Sequence, residues 1–381
     1  MFLTRRSATN TVEALVTAIS RDTLHRLIDC GICASSADNG QPWRFALRER
    51  AIDVAIARTG AFYDVDSLPS YFAIGGVVEN LRIAAAQEGY AADVTRFPRG
   101  EHSDLVATVI LREDAARMPV PLYPLVAERC TNRRPYSRRP PSPSTLRELQ
   151  EAVAAQAGFR LALLQDRPSV KATAGLIRDA DRIRFEHERT HHEFHAKLRF
   201  TQEEQERTGD GLSIQTLELG PLGGPLLRFL RPWRRTARLN RWGLSRLLAF
   251  HAYVLTRRSG ALGLLVGPAP DPSVYLRGGE LFQRLWLHAT GARLALQPMA
   301  ALPLYLLRLA RARSPGFEPR HLETLGASKV HLHELFGLGA QEHPMMLFRL
   351  GYARDPSARS LRRRSWDPQK QDSHASFGMG V

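Results

Sequence analysis

Residues 34–43 read Ala34-Ser35-Ser36-Ala37-Asp38-Asn39-Gly40-Gln41-Pro42-Trp43. A helical pattern over 12–32 leads into this stretch, and an alternating, strand-like pattern over 44–57 leads out of it. Small residues let a backbone approach a ligand closely, while hydroxyls and carboxamides donate and accept in one plane. The composition therefore fits a loop that grips a planar polar ligand. It fits equally a helix end rich in turn formers, and the surrounding chain has to separate the two.

Working outward, 71–89 is a helix with Gly75 and Gly76 near its start and Val77, Val78, Leu81, Ala84 and Ala85 as its apolar face. A strand follows at 105–111, a connection at Pro119, Pro121 and Pro124, and a short helix at 125–129. The pattern then restarts. Residues 144–157 form a helix with Ser144 as N-cap, and 159–165 a strand. A long helix is expected over 170–196, mostly helical chain over 201–265, a helix over 276–291 and a last strand over 345–353. Gly75, Val78, Leu81, Ile83 and Ala85 align with Gly279, Phe282, Leu285, Leu287 and Ala289 at a constant offset of 204 residues. Tyr71 and Tyr275 precede the two helices, and Arg5-Arg6 and Arg133-Arg134 each precede a helix–strand unit. The expectation is an α+β protein made of two copies of one unit. The first half is 1–128, the second 129–366 with an insertion at about 185–257, and the polar stretch 367–381, past Trp366, is a disordered tail.

Among 381 residues, 53 Lys and Arg against 38 Asp and Glu give a net charge of +15. That balance favours anionic partners such as phosphate, nucleic acid or an anionic membrane surface, but no nucleic-acid motif accompanies it. Three cysteines make no disulfide framework. Cys30-Gly31-Ile32-Cys33 has redox spacing, yet it ends a helix instead of opening one, which fits small buried residues better. His187, His191, His192 and His195 lie at helical spacing, with His187 and His191 on one face; no Cys or Asp completes a ligand set, so no metal is expected. With no signal-peptide core and no apolar run of about 18 residues, the expectation is a cytoplasmic protein without a transmembrane segment. Residues 221–253 interleave Leu, Phe and Trp with Arg231, Arg234, Arg235, Arg238, Arg241 and Arg246. Such a stretch can lie on an anionic membrane or cover a pocket with its apolar face. The lid is the reading carried forward.

Arg5-Arg6-Ser7, the 34–43 loop, the helix from Gly75 and Arg349-Leu350-Gly351-Tyr352 before a basic end together resemble the nitroreductase-like flavoprotein superfamily. The loop is similar to that family's A-P-S-x-x-N-x-Q-P-W signature, with Ser36, Asn39, Gln41, Pro42 and Trp43 in place and Ser35 where Pro is usual. Thr131-Asn132-Arg133-Arg134-Pro135-Tyr136 and Gly209-Asp210-Gly211-Leu212 resemble the Acg-like branch, whose single chain fuses two such halves under a lid. The resemblance implies FMN held between the halves. Arg133 and Arg134 match the arginine pair on the phosphate and ribityl chain, although Pro135 replaces the usual Ser. Ser137 falls where many members carry a basic residue near the flavin pyrimidine edge. Ser36 and Asn39 would hydrogen-bond the flavin and ribityl, with Ser35, Gln41 and Trp43 in the same loop. Gln297-Pro298-Met299 matches the backbone passing the flavin N5 side, and Arg362 and Arg363 match the basic C-terminal phosphate contacts.

A dianionic phosphate suits several guanidiniums offering bidentate hydrogen bonds, so the chemistry agrees with the resemblance. The pseudosymmetric second pocket needs a matching loop in the second half, but Gln156-Ala157-Gly158-Phe159-Arg160 carries no Ser, Asn or Gln-Pro-Trp. One FMN per chain is expected. The resemblance implies a nitroreductase-like oxidoreductase moving two electrons between a reductant, NAD(P)H being the candidate, and a small organic acceptor of nitroaromatic or quinone-like type. The alternatives are a non-catalytic FMN-sequestering protein and a flavin-dependent oxidase or dehydrogenase of a biosynthetic cluster. No catalytic acid or base is assigned; Tyr136 and His251 are pocket candidates. The expected assembly is a monomeric pseudo-dimer or a homodimer.

Overall fold

The computed structural model describes residues 18–114, 120–312 and 316–363. Arg5-Arg6-Ser7, the start of the first helical pattern, Pro119 and the tail expected over 367–381 lie outside the described residues. In the first half, α1 (Arg21–Gly31) opens at Ser20, whose hydroxyl accepts from the Thr23 amide at 3.1 Å. Loop 32–42 feeds a hairpin of β1 (Trp43–Arg48) and β2 (Ala51–Ile56). The one strand expected over 44–57 is thus two, because Arg48-Glu49-Arg50 breaks the alternation and turns the chain. Then come α2 (Leu68–Gln87), β3 (Tyr90–Arg96), β4 (Leu105–Glu113) and α3 (Tyr123–Glu128). Sequence reading misses β3 because this edge strand has no fully buried residue to mark a face.

The second half starts with α4 (Pro143–Ala154), capped by Ser142 and not by Ser144: the Ser142 hydroxyl accepts from the Thr145 amide at 3.1 Å. Pro143 sits in the first turn, where a missing N–H costs nothing. After β5 (Arg160–Leu164) runs a helical insertion that is longer than the expected 185–257. It comprises α5 (Arg167–Glu186), α6 (Glu188–Lys197), β6 (Leu198–Arg199), α7 (Gln202–Thr208), β7 (Leu212–Ser213), α8 (Gly223–Leu230), α9 (Trp233–Asn240) and α10 (Leu244–Thr256). The single helix expected over 170–196 breaks at His187, whose extended backbone (φ −104°, ψ 119°) ends α5 and caps α6. The chain returns through β8 (Ala261–Gly267), α11 (Pro272–Gly291), β9 (Ala295–Pro298), α12 (Ala301–Arg311), α13 (Pro319–Phe336) and β10 (His343–Gly351). β8 lies partly in the stretch read as helical, and α12 and α13 were not anticipated. No helix among the described residues is long and apolar enough to cross a membrane.

Two four-stranded antiparallel sheets result, ordered β1-β2-β4-β3 and β5-β8-β10-β9. Both visit the four sheet positions in one sequence along the chain, with a long helix between the second and third strands. The protein is therefore α+β with a repeated topology, as the offset predicts. α2 spans Leu68–Gln87 and α11 spans Pro272–Gly291, so both ends carry the 204-residue displacement. The displacement continues past the helices: Gly89 and Arg293 both take positive φ, at 86° and 57°. Tyr71 and Tyr275 fall inside the first turns and do not precede them.

A helix apolar on all sides must be buried on all sides. In α2, all but Pro69, Arg82, Ala86 and Gln87 are buried, with α11 as the main neighbour. The two helices meet backbone to backbone at their glycines. A Cβ on Gly75 would lie 2.0 Å from the Leu276 carbonyl oxygen, and one on Gly279 would lie 1.8 Å from that of Phe72. Polar side chains also pair across the crossing: Gln283 Nε2 donates to Asn80 Oδ1 at 2.8 Å, and Arg284 Nε to Glu79 at 2.7 Å.

Candidate functional site

Loop 32–42 is strained where it turns. Asp38, Asn39 and Gln41 all adopt positive φ (46°, 54° and 51°), which non-glycine residues avoid unless neighbours impose it. The neighbours do. Ser36 Oγ accepts from the Gln41 amide at 2.9 Å. Asn39 Nδ2 donates to the Gly211 and Leu361 carbonyls, both at 2.9 Å, and its Oδ1 accepts from Arg362 Nη1 at 2.9 Å. Gln41 Nε2 donates to Gly209 O at 2.8 Å and its Oε1 accepts from the Arg363 amide at 2.9 Å. Arg362 Nε reaches Ile32 O at 2.9 Å, and Arg363 Nη2 reaches Gln41 O at 2.8 Å. The insertion and the C-terminal segment at 361–363 thus hold the loop from both sides. Asn39→Ala should cost about 2 kcal/mol of unfolding free energy, because it strands the buried Gly211 carbonyl and removes the hydrogen bonds to Leu361 O and from Arg362 Nη1. Chemical denaturation that places this variant within about 0.5 kcal/mol of the parent would contradict the clamp.

Beside the clamped loop lie two adjoining cavities of about 230 Å³ each. Ser35, Ser36, Asp38, Thr131, Arg133 and Leu212 border both, so they form one chamber with two ends. One end is polar and cationic, with Arg129, Arg133, Arg359 and Arg362 around Ser35 and Ser36. The other is aromatic and apolar, with Phe72, Tyr275, Phe282, Trp286, Pro298 and Met345. Phe282 packs at 5.6 Å from Phe72 and 5.5 Å from Trp286, between rings of both halves. Arg184, Tyr63 and Gln297 add polar edges to the aromatic end.

The cationic end is short of counter-charge. Burial pushes the guanidinium pKa values of Arg133 and Arg362 down, and that of Arg129 to about 10, with Arg362 adding repulsion to the last. Arg129 is 6% exposed; its Nη2 donates to Cys33 O at 2.6 Å and its plane covers Trp286, while its Nε has no hydrogen-bond partner among the described residues. Among the described residues the Arg133 side chain makes one hydrogen bond, from Nη1 to Thr216 O at 3.1 Å. Among the described residues, Asp38 is the carboxylate that borders this end. Guanidiniums taken out of water with donors to spare, as in Arg129 and Arg133, are costly unless an anion completes them. The donor set fits a phosphate.

The structure gathers Ser35, Ser36, Asn39, Arg133, Arg362 and Pro298 around the chamber. Gln41 and Arg363 border a separate cleft of about 350 Å³ on the far side of the loop. Arg134 turns away and pairs with Glu218 at 3.4 Å. Ser137 is exposed, its amide bonded to Tyr352 O at 2.7 Å. Trp43 is buried in the main core, and Met299 packs against the core of the second half. Neither Tyr136 nor His251 borders the chamber: Tyr136 donates to Asn132 O at 2.7 Å under the Arg349 guanidinium, and His251 is exposed. The lid expectation needs correction as well. The insertion residues that border the chamber are Arg184, Phe194, Leu212, Thr216 and Leu217, and none comes from 221–253.

Arg129 and Arg184 escaped the sequence reading, since in a chain this rich in arginine only burial singles them out. His191 and His195 face inward, with ring centroids 4.3 Å apart and His191 against Trp233 at 5.2 Å. Burial lowers the His195 pKa to about 4. His187 points elsewhere, its Nε2 at 2.8 Å from Gly316 O. Burial also pushes the Cys30 thiol up to about 12, away from redox reactivity.

No family model matches the chain. It is 29% identical over 334 residues to uncharacterized protein MT1398 from Mycobacterium tuberculosis (strain CDC 1551 / Oshkosh), a match covering 87% of this chain and 46% of that protein. The chain thus spans about half the length of the curated relative it matches. Its fold is similar to that of a nitroreductase with bound FMN from Bacteroides fragilis NCTC 9343 (11% identity, TM-score 0.34, covering 66% of this chain and 96% of that one). It is also similar to the FMN-dependent nitroreductase NfnB from Mycobacterium smegmatis in complex with NADPH (15% identity, TM-score 0.35, 67% and 96%).

Proposed function

We propose that this chain is an FMN-binding flavoprotein of nitroreductase-like type, with one flavin held where its two halves, 1–128 and 129–366, meet. The observation that carries this reading is the two-ended chamber, which at one end sets Arg129, Arg133, Arg359 and Arg362 against Asp38 as the carboxylate among the described residues, and at the other end is aromatic. Arg129, Arg133 and Arg362 would hold the phosphate, with Ser35 and Ser36 on the adjoining polar chain. Phe72, Phe282 and Pro298 would flank a planar ring, and Arg184 and Gln297 offer donors to its polar edge. Bound there, FMN supplies two-electron redox chemistry. The protein's part is to bind, to orient and to exclude water. Asn39 and Gln41 act in this reading through the loop they fix and make no contact with the ligand of their own.

Saturation with FMN followed by desalting should leave a yellow protein with one flavin per chain. A colourless product would overturn the reading, and two flavins per chain would overturn the single site. The enzyme class is a flavin-dependent oxidoreductase acting on a small organic acceptor, with NAD(P)H as the proposed reductant. The placing of Phe194, Leu212 and Leu217 of the insertion along the chamber wall favours a second reading, in which the chain holds FMN without turning it over. Mixing the yellow protein with NADH and with NADPH in a stopped-flow instrument decides between them: rapid bleaching excludes pure storage.

A further inference from the structure

Residues 221–253 were expected to form a lid, yet none of them borders the chamber, and the stretch 219–250 turns apolar side chains outward. Seven of the eleven large apolar side chains exposed among the described residues lie in this stretch: Leu219, Leu222, Leu226, Phe229, Trp242, Leu247 and Phe250. Trp242 is 87% exposed and Leu222 78%. Their spacing is that of helix faces. Leu222, Leu226 and Phe229 follow one side of α8 and its entry, and Leu247 and Phe250 one side of α10, whose Ser245 and Ala249 face inward. α9, packed against both, joins them. The charge in the same stretch has one sign. No Asp or Glu occurs between Glu218 and Asp271, while the seven arginines from Arg228 to Arg246 are all exposed.

We propose that the α8–α10 face docks on an anionic membrane surface, with Trp242, Leu247 and Phe250 entering the headgroup–acyl boundary and the arginines meeting lipid phosphates. Bulky apolar groups beside unopposed arginines are the combination such a boundary rewards, since it takes both at once. A polynucleotide would satisfy the arginines but leave the Leu side chains in water. A soluble acidic protein would be expected to meet some basic partner on its own side, and this stretch offers no carboxylate for one.

The test is co-sedimentation of the full chain with vesicles of equal parts phosphatidylglycerol and phosphatidylcholine, and with vesicles of phosphatidylcholine alone. Binding to the first and not the second is expected, with a blue shift of Trp emission that Trp242→Phe removes. Each basic residue near an anionic surface contributes about fivefold, so Arg234→Gln, Arg238→Gln and Arg241→Gln together should weaken binding by about a hundredfold. Trp242→Ser with Leu247→Ser should abolish what binding persists in high salt. All five positions are solvent-exposed or half-exposed, so circular dichroism should match the parent. Equal binding to both vesicle types, or indifference to both sets of variants, overturns the proposal. So does binding to an RNA oligonucleotide that survives Trp242→Ser with Leu247→Ser while vesicle binding is absent throughout. The result is independent of flavin binding.

Discussion

Arg133→Ala should weaken FMN binding by about 10- to 100-fold, whereas Arg134→Ala should leave it within about twofold. The two arginines are adjacent and chemically alike, and only their surroundings separate them. Arg133 borders both ends of the chamber and spends one hydrogen bond on Thr216. Its remaining donors face an end where Asp38 is the carboxylate among the described residues, so a phosphate there gains charge-assisted hydrogen bonds worth about 1.5–3 kcal/mol. At 1.4 kcal/mol per factor of ten, that is the predicted range. Arg134 pairs instead with Glu218, and its backbone carbonyl accepts from Arg349 Nη2 at 2.9 Å. Arg362→Ala makes a poorer test, because its guanidinium also holds Ile32 O and Asn39 Oδ1. Loss there would mix ligand contact with loop collapse. Titration of the flavin absorbance with each variant gives the answer. Equal losses for Arg133 and Arg134 would show that the phosphate lies elsewhere.

That contrast also marks what the sequence makes legible. The 34–43 loop stands out because small polar residues followed by Gln-Pro-Trp have few structural uses, and Ser35 and Ser36 do border the chamber. What Asn39 and Gln41 do is invisible in the chain, since their partners lie far along it, at Gly209, Gly211, Leu361 and Arg362. The repeat is legible because two helices that cross at backbone contact need glycine at one register in both copies. The sheets are less so. β1 and β2 are joined by a tight turn, but their counterparts β5 and β8 are separated by the whole insertion, and α12 and α13 divide β9 from β10. Side-chain direction is the remaining gap: an interleaved Leu–Arg helix reads the same whether its apolar face covers a cavity or meets a membrane, and only burial distinguishes them.

Gly75→Ala and Gly279→Ala should each destabilise the fold by about 3 kcal/mol, toward the upper end of overpacking costs. Ordinary van der Waals contact would demand that a methyl at Gly279 retreat by more than an ångström from Phe72 O, and a carbonyl in a helix cannot rotate away as a side chain does. α2 and α11 must therefore separate or slide. Either movement opens gaps along buried faces that include Leu81, Leu285 and Trp286, and it pulls on the Asn80–Gln283 hydrogen bond. Because the two glycines are related by the repeat, a shift that accommodates one methyl makes room for the other. The double variant should then cost clearly less than twice the single, a coupling of about 1 kcal/mol or more between positions in contact. Denaturant titrations of the two singles and the double measure this directly. Additive costs would mean that the methyls are absorbed by local backbone adjustments on each side. In that case the helix pair would not move as one body, and the crossing would not be the shared joint that fixes the chamber between Phe72 on α2 and Phe282 on α11.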